Sequence, residues 1–120
     1  MPQNFRDLKI WQEGYRLALE VYEITRSFPR DELFGLTNQI RRASVSIPSN
    51  IAEGTGRWGV KDKIQFLMIA RGSLTETQSH LSIAFGLKYL TEDKYKQLDD
   101  AYEILARSLN AFIKSLKPTN

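Results

Sequence analysis

Near the end of the chain, apolar residues fall at Tyr95, Leu98, Tyr102, Leu105, Leu109, Phe112 and Leu116, in alternating steps of three and four. This is the stripe of an α-helix packing one face against a neighbour. Thr91 is placed to cap its start, Glu92 and Asp93 suit the positive end of the helix dipole, and Pro118 stops it. A first helix is predicted on Leu8, Trp11, Tyr15, Ala18, Tyr22 and Thr25, capped by Asp7 and ended by Ser27-Phe28-Pro29.

The second stretch contains Pro48, which removes a backbone donor and crowds the preceding turn. Yet Leu36, Ile40, Ala43, Ile47, Ile51 and Gly54 keep the helical period straight through it. The surviving phase predicts one helix of about 20 residues, kinked at the proline rather than broken. A third helix is expected from about Val60 to Phe85, with Ile64, Leu67, Leu74, Leu81 and Phe85 on its main stripe and Gly86 as a left-handed cap. No segment reads as a strand. Short joints at 27 to 35, 54 to 60 and 86 to 91 favour antiparallel neighbours. The expected fold is all-α, an antiparallel up-down four-helix bundle formed as one domain over residues 1–120.

The third helix has a second apolar or small face, made by Phe66, Ile69, Ser73, Ile83 and Ala84. Two readings stay open for it. It is either a wide stripe buried within one chain or a contact between copies, with Phe66, Ile69, Ser73 and Ile83 as the oligomer contact.

Composition narrows the chemistry. With no Cys and one His, the chain has no disulfide, no thiolate and no imidazole pair for a metal. No apolar run approaches the ~18 residues of a membrane span, and the start does not resemble a signal peptide, so a cytoplasmic protein without membrane contact is expected. The net charge is only +3, but it is unevenly placed. Residues 36 to 71 carry Arg41, Arg42, Arg57, Lys61, Lys63 and Arg71 against Glu53 and Asp62, a surplus of four positive charges. Residues 92 to 116 carry one net negative charge. Any anion-binding surface therefore belongs to the middle of the chain.

Within that middle, Arg41 and Arg42 stand in a stretch with no acid from 33 to 52 and offer guanidinium forks to phosphates. Arg42, Ser46, Ser49 and Glu53 also share one helical row, and Arg57 follows Glu53 by four, so a structural ladder is the competing account. The run Gly54-Thr55-Gly56-Arg57-Trp58-Gly59 has the letters of a phosphate-binding glycine loop, but a helix precedes it and no acid follows at 77 to 87. Its glycines are expected to end one helix and turn into the next. Trp58 either stacks on a base or lids the end of the bundle. Together Arg41, Arg42, Arg57, Trp58, Lys61 and Lys63 form the candidate nucleic-acid-binding set.

Nothing points to catalysis. His80 stands alone, in the manner of a surface or interface residue, and is given no role. Glu92/Asp93 and Asp99/Asp100 are adjacent pairs that project about 100° apart and do not converge on one atom. The serines lie in no nucleophile elbow or Ser-x-x-Lys arrangement. No cofactor or metal is expected.

The runs Gly35-Leu36-Thr37, Gln39-Ile40-Arg41-Arg42-Ala43 and Val45-Ser46-Ile47-Pro48-Ser49-Asn50-Ile51-Ala52-Glu53-Gly54 form a specific pattern. They resemble the four-helix-bundle protein family encoded in intervening sequences of bacterial 23S ribosomal RNA genes. Asn4 to Leu8, Trp11, Phe28-Pro29, Phe66-Leu67, Ile69-Ala70, Gly72-Ser73-Leu74 and Glu76 extend the likeness over nearly the whole chain. The resemblance implies a Pro-containing second helix, a homopentamer and no known catalytic activity. More distantly similar pentameric bundles are nucleic-acid-binding accessory proteins of diversity-generating retroelements. Ser44, Thr77 and Gln78 depart from the family pattern, and losing the acid often found after Glu76 removes a paired carboxylate from the third helix. The function expected is a homo-oligomeric bundle that binds RNA or other nucleic acid through a basic surface on the second and third helices; the alternative is a protein-interaction scaffold with no nucleic-acid ligand.

Overall fold

The computed structural model describes residues 4–118, which form α1 (Lys9–Thr25), α2 (Leu36–Thr55), α3 (Val60–Gly86) and α4 (Glu92–Leu116). No strand occurs among the described residues. Each helix packs on its chain neighbours, α1 also meets α4, and neither α1 with α3 nor α2 with α4 is in contact. These are the diagonals of a four-helix bundle, 48 × 23 × 20 Å overall. The antiparallel sense is fixed by side-chain pairs: Ser46 with Ser73 and Lys63 with Thr55 across α2 and α3, then Arg71 with Asn110 and Ser82 with Tyr95 across α3 and α4.

The stripes read on the second, third and fourth helices face the core, but the one read on α1 does not: Tyr15 and Tyr22 are exposed, and α1 buries Ile10, Leu17, Val21 and Ile24 instead, because its aromatic row lies on the outer side of α1 and α2. Leu17, Ile40, Ile47, Leu74, Leu81 and Leu109 are sealed from solvent, and Tyr102 joins them. Thr91 caps α4 as expected, its side chain accepting from the Lys94 N–H at 3.2 Å. α2 continues without interruption through Pro48. At that level Gly14 brings α1 close, for a Cβ there would lie 3.4 Å from both Ile47 Cγ2 and Pro48 Cδ.

Three further expectations need correction. Asp7 does not cap α1: Asn4 caps a short 3₁₀ turn over Phe5–Asp7, its Oδ1 accepting from the Arg6 N–H at 2.9 Å, and Leu8 leads into α1. Gly86 is not the left-handed cap, because it still belongs to α3 and the residue with positive φ is Lys88, at 67°. Around Lys88 the Tyr89 N–H donates to the Ala84 carbonyl and the Lys88 N–H to the Phe85 carbonyl, each at 2.9 Å, which is a Schellman ending. His80 is not a surface residue. It is 9% exposed, with Nε2 3.2 Å from Glu76 and Nδ1 buried without a partner.

The second face of α3 divides between its two readings. Ala84 is buried in the chain's own core, Ser73 meets Ser46 hydroxyl to hydroxyl at 2.8 Å, and Phe66 lies half-buried beneath Arg57. Ile69 and Ile83 stay 47% and 49% exposed.

Candidate nucleic-acid interface

The cationic residues of the middle stretch do not form one patch. Arg41 and Thr55 are fourteen residues apart on α2, roughly 21 Å at 1.5 Å per residue. The two ends of α2 therefore carry separate cationic groups.

At the far end, α2 stops at Thr55 and α3 starts after Gly59, so Gly56 to Gly59 make the turn. The two helices approach closely at Gly54, where a Cβ would lie 3.1 Å from the Lys63 carbonyl and from Phe66 Cβ. That close approach brings Lys63 over the end of α2, where Nζ donates to the Thr55 carbonyl at 3.0 Å. Arg57 follows the ladder pattern: its Nη2 is 3.1 Å from Glu53 Oε1, and its guanidinium lies 4.6 Å from the centre of the Phe66 ring. Lys61 is exposed on the first turn of α3. Trp58 is 99% exposed, which excludes the lid reading. Beside it opens a cleft of about 420 Å³ lined by Asn4, Phe5, Ala52, Thr55, Gly56, Arg57, Trp58 and Lys63. Its walls offer an indole face, a phenyl ring and two cations.

At the near end, Arg41 and Arg42 diverge, as adjacent helical residues must. Arg42 points to solvent. Arg41 is half-buried, its Nε donating to Thr25 Oγ1 at 2.8 Å and its guanidinium stacked 4.7 Å from the Tyr22 ring. It shares a cleft of about 290 Å³ with Arg26, Arg30, Thr37 and Leu33. The sequence reading missed Arg26 and Arg30, since only the 3₁₀ turn at Arg30–Glu32 folds them back towards α2. Glu32 in that turn is already engaged: it accepts from the Leu36 N–H and from the Tyr89 hydroxyl, and that last hydrogen bond holds the Tyr89 phenol above its usual range.

Among the described residues no group of three or more His, Asp and Glu side chains is arranged to hold a metal ion. The model of the 23S rRNA-intervening sequence protein family matches residues 6–111. The chain belongs to that family. A crystal structure of a protein with unknown function from the S23 ribosomal protein family, from Bacteroides thetaiotaomicron, superposes on it with a TM-score of 0.79 at 23% identity, covering 88% of this chain and 98% of that one. At that identity the likeness establishes the bundle fold. No curated protein matches the chain. As a member of the intervening-sequence family it thus has a known architecture without an assigned reaction, and no catalytic family is indicated. No helix among its described residues is long and apolar enough to cross a membrane.

Proposed function

We propose that this intervening-sequence protein is a non-enzymatic, cytoplasmic homo-oligomer, pentameric as the family resemblance implies, that holds RNA at its α2–α3 turn. One observation carries the proposal: Trp58 stands 99% exposed beside a cleft that also presents Arg57 and Lys63. A tryptophan left wholly in water contributes nothing to folding, whereas an indole among cations suits a base stacked on its face and a phosphate beside it. Lys61 on α3 and the Arg41 and Arg42 end of α2 extend the track for a longer strand. Assembly repeats the turn in every subunit and multiplies its weak charge. Half-exposed Ile69 and Ile83 on α3 favour such assembly.

A mobility-shift titration of ribosomal RNA fragments across salt concentrations tests the binding. Affinity should fall linearly with salt on logarithmic axes, and Trp58→Ala should lose about 1–3 kcal/mol of it. Absence of binding at low salt, or binding indifferent to salt, overturns the proposal. The scaffold alternative draws support from Phe34, 90% exposed between α1 and α2. It predicts enrichment of one protein partner after nuclease treatment.

A further inference from the structure

On the side of α1 and α2 away from the core runs a groove of about 380 Å³, walled by Trp11, Tyr15, Leu19, Tyr22, Val45 and Pro48. Tyr15, Leu19, Tyr22 and Val45 are each 40–54% exposed. Trp11 stacks on Tyr15 with ring centres 5.1 Å apart, so this aromatic wall is already ordered. Single exposed apolar residues need no explanation, but a continuous groove of them marks an interface.

The diagonal helix presents the opposite relief. The outer strip of α3 repeats every seven residues, as Gly72, Ser79 and Gly86 beside Ile69, Glu76 and Ile83. A Cβ at Gly72 or Gly86 would meet nothing within 4 Å, so the strip is low one turn after each of its two isoleucines. Tyr15 and Tyr22 are separated by the same seven residues, roughly 10.5 Å on a helix.

Charge decides what fits. From residue 65 to 86, Glu76 is the sole charged residue among the exposed positions of α3; its Oε2 lies 3.2 Å from His80 Nε2, and its Oε1 has no partner among the described residues. The α2 rim of the groove is cationic, with Arg41 over Tyr22 and Arg42 beside it, and neither is ion-paired among the described residues. The acids of α1 that flank the groove, Glu13, Glu20 and Glu23, are taken up by Arg16 and Arg26.

We infer that the α1–α2 groove receives the outer strip of α3 from a second copy of this chain, with Glu76 of the partner subunit against Arg41 and Arg42. Groove against groove would oppose arginines to arginines, and strip against strip would oppose glutamates. The contact is therefore between unlike surfaces, and because every copy carries one of each, repetition generates a ring where the rotation closes. This rests on the assembly proposed above and adds which surfaces meet.

Natural absence of cysteine makes the contact directly testable in the full chain. Leu19→Cys places one thiol in the groove, while Ile69→Cys and Ile83→Cys each place one on the strip, all at half-exposed positions that leave the core intact. Subunits are mixed, allowed to exchange and treated with a short bismaleimide. A covalent dimer should form when the groove variant is mixed with a strip variant, and not from any variant alone. Cross-linking of a single variant with itself, or no cross-link in either mixture while light scattering reports an oligomer, overturns this contact and leaves assembly standing. A monomeric wild-type chain by light scattering overturns both.

Discussion

Thr25 holds Arg41 in place: its Oγ1 accepts from the arginine Nε at 2.8 Å while itself donating to the Val21 carbonyl at 2.7 Å. The hydroxyl thus serves as a relay between the last turn of α1 and the second turn of α2. With Nε satisfied and the guanidinium stacked on Tyr22, the remaining donors of Arg41 are oriented without an acid to neutralise them. Thr25→Val keeps the volume and removes the acceptor. It should lower unfolding free energy by about 1 kcal/mol in urea titration, the typical net value of one hydrogen bond. A loss well under that figure would mean that the stack alone positions Arg41.

Lys88 adopts a conformation that L-residues enter at a cost of about 1–2 kcal/mol and glycine enters freely. Lys88→Gly should therefore raise the unfolding free energy by about 1 kcal/mol in thermal or urea unfolding, with the Schellman hydrogen bonds retained. A destabilised variant would show that the lysine side chain contributes more than its backbone costs.

The same residue shows where the sequence stops being legible. Helical spacing located all four helices, although on α1 it followed the outer aromatic row of Trp11, Tyr15 and Tyr22 rather than the buried face, and it carried α2 through Pro48 because phase survives a missing donor. Chain ends obey finer rules. Gly86 looked like the cap by composition, yet Leu87 extends the turn by one residue and forces Lys88 into the left-handed region. Asp7 is taken into a 3₁₀ turn capped by Asn4, and α1 starts from Leu8 without a side-chain cap, a local detail that periodicity does not encode. Of the cationic set, the Glu53–Arg57 pair followed from its i,i+4 spacing. The grouping of Arg41 with Arg26 and Arg30 did not, since it depends on the path of the turn between α1 and α2. Burial of His80 escaped because its row, Ser73, Thr77 and Ala84, is made of small side chains rather than large apolar ones.

Tyr102 is fully buried and its hydroxyl has no hydrogen-bond partner. Burial pushes its phenol pKa far above the usual value, Glu20 adding to the effect. The native state therefore keeps the proton, while the unfolded chain loses it above about pH 10. Unfolded chains then bind fewer protons, so stability is intact below that pH and falls as pH rises, by up to about 1.4 kcal/mol per unit from this group. Tyr102→Phe should remove that component of the slope, and at pH 7 it should be neutral or slightly stabilising because no hydrogen bond is lost. Chemical unfolding of both proteins from pH 8 to 11 checks this. Parallel slopes would rule out Tyr102 as the source.

Pro48 lies inside α2, where a proline costs about 3 kcal/mol relative to alanine in an ordinary helix interior. Its retention calls for a compensating contact. The ring is buried, its Cδ faces Gly14 of α1, and it forms part of the apolar groove. We therefore expect a bend at Pro48 that shapes the groove, so that assembly depends on it more than the monomer does. Pro48→Ala restores a backbone donor and straightens α2, which should leave the unfolding midpoint of the dilute chain unchanged or higher. The concentration at which light scattering reports half-assembly should rise at the same time. If Pro48→Ala assembles at the wild-type concentration, the proline serves the monomer alone and the groove does not depend on the bend.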